Sequence, residues 1–211
     1  MSGIFITLEG IDGSGKSTQA RLLLDWVRRQ GRRARLTREP GGTEVGAQLR
    51  GLVLSPDNHI TPEAELFLYL ADRSLHAAQV VQPALEAGEI VICERHTDST
   101  LAYQGYGRGL DLALLRQLNS IATGGLLPDL TIILDITPSQ ARLDATRLDR
   151  LESEGREFGE RVAEGFRVLA RAEPERIRLV DGRAEIDVVH TEVTEFVSGL
   201  LRKRQVTDAG D

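Results

Sequence analysis

The stretch Gly10-Ile11-Asp12-Gly13-Ser14-Gly15-Lys16-Ser17 decides the fold through what stands on either side of it. Before it, Ile4-Phe5-Ile6-Thr7-Leu8 is a short, β-rich apolar run that predicts a buried strand. After it, Ser17 to about Gln30 carries Ala20, Leu23, Leu24 and Val27 at helical spacing, and Gly31 closes the helix. A turn of the form G-x-x-x-x-G-K-[ST] between a strand and a helix is a phosphate cradle. Its glycines let N–H groups turn inward around phosphate oxygens, and the positive end of the helix points at the same place. Lys16 can reach the β and γ phosphates as a compact charge, and Ser17 can offer its hydroxyl to Mg²⁺. The chain holds 24 arginines but only two lysines, Lys16 and Lys203. Arginine is too bulky and planar for the cradle, which accounts for a lysine here.

Working outward, Ala34–Thr37 reads as a second strand followed by the turn Pro40-Gly41-Gly42. Helical patterns cover about 44–54, 62–87, 111–122, 138–147, 158–172 and 185–202. Ile90–Cys93, Leu130–Leu134 and Ile177–Val180 are further strands. Strands that are nearly all apolar and alternate with helices predict a parallel sheet covered on both faces. The expected fold is therefore a three-layer α/β sandwich of the P-loop NTPase type, with five parallel strands and a helical lid at about 138–157. One domain should span 1–205, with 206–211 a flexible tail. Ligands in such a fold belong at the carboxyl ends of the strands.

Composition narrows the function. The chain has 211 residues, enough to bury about 70% of its unfolded surface without disulfides or a structural metal. Cys93 is the only cysteine and the four histidines are far apart in sequence, so a disulfide scaffold or zinc ribbon has no ligands. A net charge of −6 argues against a nucleic-acid partner. The basic run Arg28, Arg29, Arg32, Arg33 and Arg35 fits a solvated helix end. No apolar run is long enough for a membrane span, and the first residues lack the basic segment of a signal peptide, so the expected location is cytoplasmic.

A phosphate cradle does not name the acceptor. A GTPase would normally carry an N/T-K-x-D guanine motif, and none is present. A helicase or motor ATPase would usually be larger. Glu94-Arg95-His96 ends the strand 90–93, where a carboxylate faces the cradle and can serve a Mg²⁺-bound water or act as a base. Arg95 would meet a phosphate with two parallel hydrogen bonds. Arg142, Arg147 and Arg150, among the acidic residues that follow, can close over a transferring phosphoryl group, neutralise it and exclude water.

These residues resemble the bacterial thymidylate kinases over nearly the whole chain. The resemblance rests on the cradle, Thr37-Arg38-Glu39-Pro40-Gly41-Gly42-Thr43, Leu70-Ala71-Asp72-Arg73 and Glu94-Arg95-His96. It continues through Leu101-Ala102-Tyr103-Gln104-Gly105, Gly107-Arg108-Gly109 and Asp149-Arg150-Leu151-Glu152. It implies transfer of the γ-phosphoryl of ATP to dTMP, giving dTDP and ADP on the way to dTTP, with Mg²⁺, in a homodimer. Gly10 to Thr18 would hold ATP, with Ser17 and Glu94 at the metal. Asp12, Glu39, Tyr69, Arg73, Arg95, Ser99, Thr100, Tyr103 and Gln104 would hold dTMP. Within that set Tyr69 would stack on the base, Thr100 and Gln104 would read its edge, and Tyr103 would crowd position 2′ against ribonucleotides. Lys16, Asp12, Arg95, Arg142, Arg147 and Arg150 would carry catalysis.

Two departures accompany the resemblance: Glu94 stands where the family usually has Asp, and the stretch between Ala141 and Arg150 is short. Since the acceptor is already a phosphate dianion, no strong base is needed, and Glu94 belongs with metal water or Arg95. Two competing readings remain at this point. A deoxynucleoside kinase would use Glu94 as base toward a 5′-hydroxyl, and a non-catalytic nucleotide switch would not need the lid arginines.

Overall fold

A computed structural model describes residues 3–142 and 149–208, and places a five-stranded sheet at the centre of the molecule. The strands are β1 (Ile4–Glu9), β2 (Ala34–Arg38), β3 (Ile90–Glu94), β4 (Leu130–Asp135) and β5 (Ile177–Asp181). All pairings are parallel and the order is β2-β3-β1-β4-β5. β3 enters between β2 and β1, and the chain then passes to β4 on the other side of β1. That switch opens the carboxyl ends of β1 and β3, which is where α/β sheets bind ligands.

Alternation along β1 assigns the two layers. Ile4, Ile6 and Leu8 face one side, where Ala20, Leu23 and Val27 of α1 (Lys16–Arg29) pack beside Val189, Val193 and Val197 of α8 (Ile186–Asp208). Phe5 faces the other side, against Val81, Ala84 and Val91. On that side Ile133 also joins the core formed by α3 (Pro62–His76), α6 (Leu112–Thr123) and α7 (Arg156–Ala172). Fully burying each such aliphatic side chain contributes about 1.5–3 kcal/mol, so the two layers carry most of the stability.

Local chemistry sets the helix starts. Thr43 accepts from the Gly46 N–H at the head of α2 (Glu44–Leu54), Thr61 precedes Pro62, and Asp111 accepts from the Leu114 N–H. The pattern over 62–87 is realised as α3, a wide π turn at Ala77–Val81, and α4 (Gln82–Glu86). The Gln82 N–H reaches back to the Ala77 carbonyl directly before Pro83, which has no N–H to give.

Two expectations are corrected. No helix starts at 138: Pro138–Gln140 forms one 3₁₀ turn, another spans Glu152–Glu154, and Arg147 lies outside the described residues. The last helix does not stop near 202 but continues to Asp208. The segment 97–107, to which the sequence pattern assigns no element, folds as α5 (Thr97–Thr100) and a π segment (Leu101–Gly107), and nearly all of it is buried.

Candidate active site

The cradle follows β1 directly. Gly10 and Gly15 take left-handed backbone angles, φ 129° and 96°, and a Cβ on Gly10 would lie 2.6 Å from the Leu134 carbonyl oxygen. Lys16 is buried and its ammonium donates to the Gly10 and Ile11 carbonyls at 3.0 and 2.7 Å. Burial, reinforced by repulsion from Arg95, pulls the Lys16 ammonium down to about 8, although Asp12, Glu9 and Glu94 resist. Ser17 Oγ donates to Glu94 Oε2 at 2.5 Å, which brings the two expected metal residues together. Arg142 lines the same cavity, and its N–H donates to the Gly13 carbonyl at 3.3 Å.

Arg95 stands at the junction of two cavities. Its φ of 68° is the only left-handed value among the described non-glycine residues, a strained conformation held by its contacts. The guanidinium donates to the Gly10 carbonyl and Ser99 Oγ, each at 3.1 Å, and to Asp12 Oδ1 at 2.6 Å. It also lies over the Tyr103 ring, 4.9 Å from the centroid, and Tyr103 donates its hydroxyl to Asp12 Oδ2 at 3.1 Å. Burial pushes the Asp12 carboxyl up, but Arg95 and Lys16 outweigh it and hold the group well below the usual carboxylate range.

All nine residues expected around the acceptor line one cleft of about 480 Å³. Arg73 is almost fully buried and well supplied with acceptors. Its Nε donates to Glu39 Oε2 at 2.8 Å, Nη1 to Thr100 and Asn119 at 2.6 and 2.7 Å, and Nη2 to the His96 carbonyl at 2.9 Å. Four of five N–H donors are therefore used among the described residues, and Arg73 belongs to the lining of the cleft. Glu39 turns its oxygens to the protein: Oε1 meets His76 Nδ1 at 2.8 Å and His96 Nδ1 at 2.9 Å. Burial raises the Glu39 carboxyl, yet His96, Arg73 and the two imidazole hydrogen bonds together hold it well below its ordinary value. Gly42, three residues further on, has no room for a side chain, because a Cβ there would collide with the His76 ring.

Arg150 departs from its expected place. It is buried, donates to the Val53 carbonyl at 2.9 Å, and pairs with Glu65 Oε2 at 2.6 Å, so in this structure it supports the acceptor cleft rather than the cradle. Several residues at the site are not among those expected from the sequence. Arg50 lines both cavities, Arg38 lines the cradle, and Glu65 and Asn119 hold residues of the cleft. Glu9, at the end of β1, accepts from the His96 N–H at 2.7 Å and Ser99 Oγ at 2.5 Å. Burial, with the nearby Asp98 charge, raises Glu9 to about 7 against the pull of Arg95 and these hydrogen bonds. Only its place at the end of an apolar strand, one residue before the cradle, could have drawn notice.

Comparison with known proteins shows the family. The thymidylate kinase family model matches residues 8–193. A thymidylate kinase of an Exiguobacterium strain is 48% identical over 207 residues, covering 96% of this chain and 98% of that protein. One from Clavibacter sepedonicus is 51% identical, covering 92% and 93%. The crystal structure of thymidylate kinase from Ehrlichia chaffeensis superposes with a TM-score of 0.77 at 35% identity, covering 94% of this chain and 99% of that one. The chain belongs to the thymidylate kinase family and phosphorylates dTMP to dTDP at the expense of ATP.

Proposed function

We propose that donor and acceptor meet across the Asp12–Arg95 pair. The observation that carries this is the sharing of Asp12, Glu39, Arg50 and Arg95 between the cradle cavity and the acceptor cleft. ATP phosphates rest on Gly10 to Thr18 under Lys16, and the dTMP phosphate faces Arg95 and Arg50. Tyr69 covers the base, Thr100 and Gln104 meet its edge, and Tyr103 fills the space at position 2′. Segment 138–157 of this single kinase domain acts as a lid, with Arg142 lining the cradle cavity. The incoming nucleophile is already anionic, so the residues work by holding two phosphates in line and neutralising the charge that develops.

Ser17 and Glu94 suit Mg²⁺: both offer hard oxygen, and they touch at the cradle mouth. Mg²⁺ usually keeps several of its waters, so a site with one carboxylate and one hydroxyl suffices beside the ATP phosphates. Mg²⁺ would supply positive charge to the ATP phosphates. For the homodimer, Leu66 and Leu70 of α3 belong to the core, whereas Phe67 on α3 and Leu114 and Ile121 on α6 are exposed. We assign the dimer contact to those three.

The test separates the two cavities by titration calorimetry. Lys16→Ala should lose ATP binding by tenfold or more while dTMP affinity stays within about threefold, whereas Arg95→Gln should weaken dTMP. Loss of dTMP binding in Lys16→Ala, with the fold intact, would overturn the division.

A further inference from the structure

Behind the acceptor cleft, and not part of its lining, Glu65 on α3 is completely buried. Oε1 accepts from Gln104 Nε2 at 2.7 Å and from Arg108 Nε at 3.4 Å. Oε2 accepts from Arg108 Nη2 at 2.9 Å and Arg150 Nη2 at 2.6 Å. Burial pushes this carboxyl up, but the hydrogen bonds from Arg108, Gln104 and Arg150 outweigh it and keep the group ionised. An ionised carboxylate can only accept. A glutamine amide has two flipped orientations, and its partners decide between them. With an acceptor-only partner behind it, Gln104 must turn its nitrogen to Glu65. Its oxygen is left for the cleft, where it accepts no hydrogen bond among the described residues.

We propose that Glu65 is a specificity-determining positioning residue: by fixing the Gln104 amide, it presents an acceptor that admits pyrimidines carrying an N3–H and rejects cytosine. The proposal rests on the reading that Gln104 meets the base. Thymine brings an N3–H donor to that oxygen, whereas the N3 of cytosine is itself an acceptor, and two facing acceptors leave both unpaired. The same carboxylate anchors Arg150 and, through Arg108, reaches Glu154 at 2.6 Å. The base-reading amide and the C-terminal end of the lid segment therefore lean on one charge.

The experiment measures kcat/KM for dTMP and dCMP in the wild type, Glu65→Gln, Glu65→Asp and Gln104→Ala, with thermal melting of each. Glu65→Gln keeps the volume but offers both a donor and an acceptor, so the Gln104 amide is free to flip. The dTMP-to-dCMP ratio should fall about tenfold, the loss of one well-placed hydrogen bond, and mostly through KM. Glu65→Asp, still acceptor-only, should keep the ratio within about threefold even if both rates fall. Equal losses for both nucleotides in Glu65→Gln would overturn the proposal, as would an unchanged ratio while Gln104→Ala lowers it. An unchanged ratio in Gln104→Ala would instead sink the underlying reading of Gln104. Should Glu65→Gln not fold, exchange of the wild-type Gln104 side-chain amide by NMR decides. One protected Nε2–H supports the fixed orientation, and fast exchange of both contradicts it.

Discussion

Replacing Glu39 by glutamine removes one charge from a buried carboxylate in the wall of the acceptor cleft. The carboxylate accepts from Arg73, His76 and His96 with no exposed oxygen to lose. Glutamine keeps one acceptor and turns an N–H₂ against a donor, leaving the buried Arg73 guanidinium without a counter-charge. Breaking a buried pair in this way costs about 3–5 kcal/mol, and the retained acceptor puts glutamine near about 3. For a chain of this length each kcal/mol moves Tm by about 2–4 °C, so the variant should melt roughly 6–12 °C lower at pH 7.5. The pH dependence has a definite sign. Glu39 sits well below its ordinary value of 4.5 in the fold, so its stabilisation is complete above about 4.5 and fades as pH falls below it. The gap between wild type and variant should therefore narrow in acid. Scanning calorimetry across pH 3.5–7.5 measures both. A drop under about 2 °C, or a gap that stays constant down to pH 3.5, would refute the argument that the charge holds Arg73 in place.

Glu9 gives the opposite slope. Between its ordinary value of 4.5 and about 7 the folded protein binds the proton more tightly, so this group lowers stability as pH rises through that window. At about 1.4 kcal/mol per unit the total is about 3 kcal/mol, and Glu9→Gln should gain on the wild type by that order between pH 4.5 and 7.5 in urea unfolding; a constant difference would contradict it. Tyr103→Ala should relax the preference for dTMP over the ribonucleotide by about tenfold in kcat/KM, the scale for one crowded substituent. The same change frees Asp12 and Arg95 from the phenol, so dTMP turnover should fall too; an unaltered preference would refute the crowding role.

The parts of the fold legible in sequence were those with local causes. Apolar runs at Ile4–Leu8, Ile90–Cys93 and Leu130–Leu134 became central strands because their residues are buried on both faces, and the cradle is contiguous in the chain. The 97–107 segment was not legible. Thr97, Asp98, Ser99 and Thr100 look like loop residues, yet all are buried: Thr100 accepts from Arg73 and Ser99 donates to Glu9 at the site, while Asp98 pairs with Arg176 away from it. Tertiary partners overrode composition there. Glu65 and Arg150 stand 85 residues apart, and no spacing rule links a helix glutamate to a lid arginine. Glu39 was found through a turn motif, but its inward orientation depends on His76 and His96 arriving from two other elements.

The central claim is that Arg50, Arg95 and the cradle are built for an acceptor that already carries a phosphate. Coupled ADP release with ATP and Mg²⁺, offering dTMP and thymidine in parallel, tests it most directly. The account predicts turnover with dTMP and none above background with thymidine. Turnover of thymidine comparable to that of dTMP would contradict it, and would move Glu94 from the metal to the role of general base.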